Sequence, residues 1–137
     1  MKKTEIAAKD DNLYIVTDFI KEQLEAAGCP MKIQMQMQLA VEEIFVNIAN
    51  YAYAPGTGMA VITVDISDGI AKITFEDSGT PFDPLAKEAP DVTLPANQRR
   101  IGGLGIFLVI KTMDHVSYEY RNGKNVLTIE KRVDGQA

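Results

Sequence analysis

The run Val41-Glu42-Glu43-Ile44-Phe45-Val46-Asn47-Ile48-Ala49-Asn50-Tyr51 is apolar at helical spacing, with a carboxylate and an amide set into it one turn apart. Glu43 and Asn47 stand at i and i+4, so both side chains leave the same helix face and can meet one ligand. A helix built only for packing carries Leu or Ala at such positions. The pair reads in two ways. It is either two polar residues at the rim of a half-buried helix, or a general base beside a hard oxygen ligand for Mg²⁺.

Upstream, residues 3–9 alternate weakly and suggest an edge strand, and Asp10-Asp11-Asn12 offers capping oxygens to the helix that follows. Leu13, Val16, Phe19, Ile20, Leu24 and Ala27 form the apolar stripe of that helix, and Gly28 suits its left-handed stop. Pro30 opens the second helix, which extends to about Tyr53 with Ile33, Met37, Val41, Ile44 and Ile48 in one line. Its Met31, Met35 and Met37 read as flexible core filler in preference to a partner surface.

Downstream, residues 60–67 and 70–77 read as strands joined by the hairpin signal Asp68-Gly69. Their period of two puts Asp77 on the same inward face as Ala71, Ile73 and Phe75. Residues 78–102 contain four of the six prolines and little periodicity, which marks a lid. A helix over 106–114 follows, with Ile106, Val109, Ile110 and Met113 on one stripe, and then a hairpin of 116–120 and 125–131 turned by Arg121-Asn122-Gly123-Lys124. Hairpins and grouped helices in this order predict an α+β fold. It is a two-layer α/β sandwich, a mixed, mostly antiparallel sheet covered on one face by three helices, in a single domain over 1–137.

Composition narrows the function. A length of 137 residues is enough to bury a core without covalent staples, and a net charge of −5 argues against a non-specific nucleic-acid or anionic-membrane binder. Cys29 is the only cysteine, so an intrachain disulfide and a cysteine-based zinc cluster are both excluded. The start lacks the apolar run of a secretion signal and no apolar stretch is long enough for a bilayer, which makes a cytoplasmic protein the expectation.

Two further segments are suited to a nucleotide. Gly102-Gly103-Leu104-Gly105 opens onto a helix, where unpaired N–H groups and the helix dipole favour an anion, although glycines there also serve as a loop device. It is not a P-loop, since the Gly-Lys-Ser/Thr ending is missing. Asp77-Ser78-Gly79 places an acid that can accept from an exocyclic amine next to a glycine that leaves room for a flat ring. The same three residues are also common in a solvated turn.

In combination and in this order, Glu43-x3-Asn47, Asp77-x-Gly79 and Gly103-x-Gly105 resemble the nucleotide site of the GHKL ATPase superfamily, the Bergerat fold. Within it the chain is most similar to bacterial anti-sigma-factor serine protein kinases. That similarity includes Phe82-Asp83-Pro84, Gly102 to Leu108 and Asn125-Val126-Leu127-Thr128. The resemblance implies ATP and Mg²⁺ as cofactors, Glu43 as general base, Asn47 as metal ligand, Asp77 as adenine acceptor and Gly79 as ring-contact glycine. It also implies that Gly102, Gly103, Leu104 and Gly105 cradle the phosphates and that Asn125 lies near adenine. The implied activity is phosphorylation of a serine on an STAS-domain anti-anti-sigma partner by a homodimer that also sequesters a sigma factor.

The chain departs from that pattern at Tyr51, where relatives often have His, and at Ile101, where some have Arg; Arg100 or Arg99 is the candidate substitute. The alternative is therefore a nucleotide-dependent protein that sequesters a regulator with little or no phosphotransfer. His115 reads as a packing histidine and Cys29 as an inert thiol.

Overall fold

The computed structural model describes residues 1–86 and 103–134. Its elements are β1 (Lys2–Ala7), α1 (Leu13–Ala26), α2 (Met31–Asn47), β2 (Met59–Ser67), β3 (Ile70–Asp77), α3 (Gly103–Thr112), β4 (His115–Arg121) and β5 (Lys124–Arg132). The strands form one sheet in the order β1-β2-β3-β5-β4. Every pairing is antiparallel, so the sheet is simpler than the mixed one expected.

Both hairpin turns follow the predicted chemistry. Asp68 and Gly69 have φ of 54° and 76°, Asn122 and Gly123 have 55° and 76°, and paired positive φ values match the twist of the flanking strands. The turns set the register: Ile62 faces Phe75, Phe75 faces Leu127, and Ile73 faces both Val64 and Ile129. These residues share a core with Val16, Ile20 and Leu24 of α1, Met37, Val41 and Ile44 of α2, Val109 of α3, and Met113 just after that helix. Each fully buried side chain of this size contributes about 1.5–3 kcal/mol. The alternate positions Thr63, Thr74 and Thr128 lie side by side on the other face, with the last two hydroxyls 3.5 Å apart.

α1 ends as expected. Gly28 has φ of +73°, its N–H bonds Glu25 O at 3.0 Å, and Cys29 N–H reaches back to Leu24 O at 3.0 Å. The start of α1 differs from the expectation. Residues Asp10–Asn12 form a short 3-10 turn without side-chain capping, and the Asn12 amide instead donates to Ala7 O at 2.9 Å. The methionines also divide: Met37 is fully buried, but Met31 and Met35 are exposed, since they lie on the α2 face turned away from the sheet. His115 is exposed at the start of β4 and does not pack.

Two differences bear on the site. The α-helical hydrogen bonding of α2 stops at Asn47, and Ile48–Ala52 continues as a π-helical segment. α3 begins at Gly103, earlier than the 106 expected, so Gly103, Leu104 and Gly105 are its first turn. Of the expected lid, 78–86 is described, with a 3-10 turn at Pro84–Ala86; the rest, with Arg99, Arg100, Ile101 and Gly102, lies outside the described residues. Among the described residues no helix is long and apolar enough to cross a membrane.

Candidate active site

The sheet end near Asp77, the C-terminal half of α2 and the start of α3 enclose a cavity of about 300 Å³. Its walls are mostly apolar, from Ile44, Ile48, Phe75, Ile106 and Leu127, and the polar groups set into them include Asn47, Asp77 and Asn125. An apolar slot with a few fixed polar groups suits a flat heteroaromatic ring.

Asp77 ends β3 on the helix-facing side and is only 7% exposed. It accepts from Gly79 N–H at 2.9 Å and from Asn125 Nδ2 at 2.9 Å, both at Oδ1. Two donors use both lone pairs of that oxygen and leave Oδ2 for a ligand in the cavity. Asn125 stands directly opposite Asp77 in the β3–β5 ladder, which is why two polar side chains can be buried together here.

The turn after Asp77 is held from the segment that follows α2. Thr80 N–H donates to Ala52 O at 2.8 Å, and Ser78 N–H donates to the Tyr53 hydroxyl at 2.7 Å, which itself donates to Met59 O at 2.6 Å. A Cβ on Gly79 would overlap the Ala52 main chain. The expected ring contact therefore has a second reason beneath it: glycine at 79 lets the turn close onto the π-helical segment. π-helical turns recur at functional sites, and this one links the helix bearing Asn47 to the turn that follows Asp77.

Glu43 and Asn47 leave the same face of α2, near enough for the Asn47 amide to act on the Glu43 carboxyl. Glu43 is half-buried, and burial pushes its carboxyl above the ordinary glutamate value; the Asn47 amide pulls it down and the Glu42 carboxylate adds a further upward push. Its carboxylate lies against Gly105, where a Cβ would overlap it. The acid is thus packed on the first turn of α3, whose N–H groups have no partner within the helix. The side chain of Leu104 is not described.

Tyr53 and Tyr118 are site residues that the sequence reading missed. Tyr118 lines the cavity, and its hydroxyl donates to Asn125 Oδ1. Burial pushes this phenol up; Phe82 N–H pulls it down, and Asp83, Asp77 and Tyr120 add smaller upward pushes. Its inward parity with Val116 was the available signal. Cys29 is buried, which pushes its thiol up.

The chain fits a nucleotide on the observations above. Mg²⁺ fits the donor set in a limited sense: among the described residues no group of three or more His, Cys, Asp or Glu could hold a metal by itself, and a single Asn oxygen suits an ion that takes most of its ligands from phosphates and water.

Comparison with known proteins gives the family. The family model described as "Histidine kinase-like ATPase domain" matches residues 6–131. The chain is 31% identical over 121 residues to the serine-protein kinase RsbW of Listeria monocytogenes, covering 81% of this chain and 76% of that one. It is 26% identical over 99 residues to the serine/threonine-protein kinase BtrW of Bordetella bronchiseptica, covering 72% and 70%. A third relative, RsbW of Bacillus cereus, is 28% identical over 95 residues, covering 66% and 59%. The chain belongs to the histidine kinase-like ATPase domain family, among the bacterial anti-sigma-factor serine kinases of the GHKL type.

Proposed function

We propose that this protein binds ATP with Mg²⁺ in the cavity between Asp77 and Asn47 and transfers the γ-phosphate to a serine of an STAS-domain anti-anti-sigma protein, while sequestering a sigma factor in the cytoplasm as a homodimer. The observation that carries the reading is the arrangement around one apolar cavity. A buried carboxylate lies at one end, Asn47 lines the wall, and a glutamate one turn away rests on a glycine helix start. The kinase names of the relatives support the reaction type.

Each residue then has a defined task. Asp77 Oδ2 accepts from the exocyclic amine of the base, while apolar walls such as Ile44 and Phe75 exclude water from the ring. Asn47 gives an amide N–H to Glu43 and keeps its carbonyl oxygen for the metal. When bound, Mg²⁺ would neutralise phosphate charge as the leaving group departs. The first-turn N–H groups of Gly103, Leu104 and Gly105 face the phosphates, and the resemblance assigns Gly102 and Arg100 of the 78–102 lid to the phosphates as well. Glu43, its basicity raised by burial, takes the proton from the acceptor hydroxyl.

The test is to incubate the protein with Mg²⁺, γ-labelled ATP and an STAS-domain protein encoded beside it. Label should appear on one serine of that partner. Labelling that persists undiminished in Glu43→Ala would remove Glu43 as the base. Tight ATP binding with no transfer to any STAS partner would favour the alternative, sequestration without catalysis.

A further inference from the structure

The side-chain amide of Asn125 is fully committed within the protein. Nδ2 donates to Asp77 Oδ1 at 2.9 Å and to Thr80 O at 3.0 Å, while Oδ1 accepts from Phe82 N–H at 3.1 Å and from the Tyr118 hydroxyl. The orientation of the amide follows from chemistry: Thr80 O can only accept and Phe82 N–H can only donate. Two donors and two lone pairs are all used, so Asn125 has nothing left to offer a ligand directly. Its influence on a bound base passes through Asp77 and through the turn of 77–82.

Three of the four partners of Asn125 belong to that turn. The fourth, Tyr118, comes from the edge strand β4, where it faces Leu127 and lies diagonal to Asn125. Without its hydroxyl, Oδ1 keeps one donor and the amide is free to swing. Nδ2 would then leave Asp77 Oδ1, and the carboxylate that offers Oδ2 to the cavity would lose one of the two bonds that fix it. Burial keeps the phenol protonated and so a donor across the neutral range.

We propose that Tyr118 is a positioning residue for base recognition, acting through Asn125 to aim the Asp77 carboxylate; the proposal rests on the ATP reading above.

The experiment titrates wild type, Tyr118→Phe, Asp77→Asn and the double variant with ATP and with purine riboside triphosphate, which lacks the 6-amino group, by calorimetry in the presence of Mg²⁺. Tyr118→Phe should weaken ATP binding by about 3- to 10-fold, the range of one hydrogen bond. Purine riboside triphosphate should be nearly unaffected, so the preference for ATP shrinks. In the Asp77→Asn background the same change should have no effect. Equal weakening of both nucleotides, or full additivity with Asp77→Asn, would reduce Tyr118 to a structural residue and overturn the inference. So would an unchanged preference in Tyr118→Phe while wild type binds ATP selectively. Absence of nucleotide binding by wild type overturns the ATP reading and this inference together. Independently of any nucleotide, the Asn125 side-chain amide protons should exchange faster with solvent in Tyr118→Phe by NMR, and an unchanged rate would show that the hydroxyl does not hold the amide.

Discussion

Gly79 lies against the main chain of Ala52 so closely that a Cβ at 79 would overlap the Ala52 carbonyl. The contact joins the two halves of the site, because Gly79 N–H holds Asp77 Oδ1 and Ala52 ends the π-helical segment that continues α2 beyond Asn47. The neighbour is backbone and cannot rotate away. Gly79→Ala should therefore destabilise the protein by about 1–3 kcal/mol even without nucleotide, as overpacking does. Urea denaturation of the free protein measures this. Unchanged stability combined with weaker ATP binding would mean that glycine serves only the ring contact.

Tyr53 makes the second joint. Its hydroxyl bridges Met59 O and Ser78 N–H, at 2.6 and 2.7 Å. Tyr53→Phe removes both bonds and should lower stability by about 1–2 kcal/mol, the net worth of two partly solvated hydrogen bonds. The local signature is the Ser78 amide, whose native-state hydrogen exchange should accelerate more than that of core amides such as Ile73. A uniform change across β3 would contradict a local clasp.

Much of this site was legible because strand parity is strict. A period of two placed Asp77 inward with Phe75, and Asn125 inward with Leu127 and Ile129, and the register sets the two polar residues opposite each other. Asp68-Gly69 and Asn122-Gly123 named their own turns. The π-helical segment was not legible, since Ile48 to Ala52 has the composition of an ordinary helix and the groups that meet its end, Thr80 N–H on Ala52 O and Gly79 against the Ala52 main chain, come from the turn after β3. Tyr118 was hidden for a similar reason: half-buried tyrosines are common in edge strands, and only its partner gives the hydroxyl a task. Met31 and Met35 were misread because apolar character alone does not say which side of a helix faces the sheet.

Gly105 meets a different neighbour. A Cβ there would overlap the Glu43 carboxylate, the far end of a flexible side chain. Gly105→Ala should therefore be nearly neutral for stability or gain up to about 1 kcal/mol from helix propensity. Displacement of Glu43 should nonetheless slow phosphotransfer on the order of 10- to 100-fold. Urea denaturation and the labelled-ATP assay, run on the same preparation, separate the two effects. A variant that loses stability and keeps its transfer rate would show that Glu43 need not rest on α3.

The raised pKa of Glu43 has consequences for stability and for rate, with opposite value to the protein. Burial is the main cause, so the folded state holds this proton more tightly than the unfolded chain does. Below the unfolded glutamate value both states are protonated and Glu43 carries no penalty. As pH rises through the raised folded value, the folded protein must bury a charge, and stability falls. Glu43→Gln keeps an acceptor for the Asn47 amide without that charge. The variant should melt at a higher temperature than wild type at pH 7, and the gain should vanish as pH drops below the carboxylate range. Its phosphotransfer rate should fall by about 10²- to 10⁴-fold, the usual contribution of a positioned base. In wild type, transfer should decline on acidification with an inflection above the ordinary glutamate value, and this inflection should be absent from the residual rate of Glu43→Gln. A variant that is less stable at pH 7 would show that the half-buried carboxylate is not a destabilising charge, and one that retains the inflection would show that it is not the group that takes the proton.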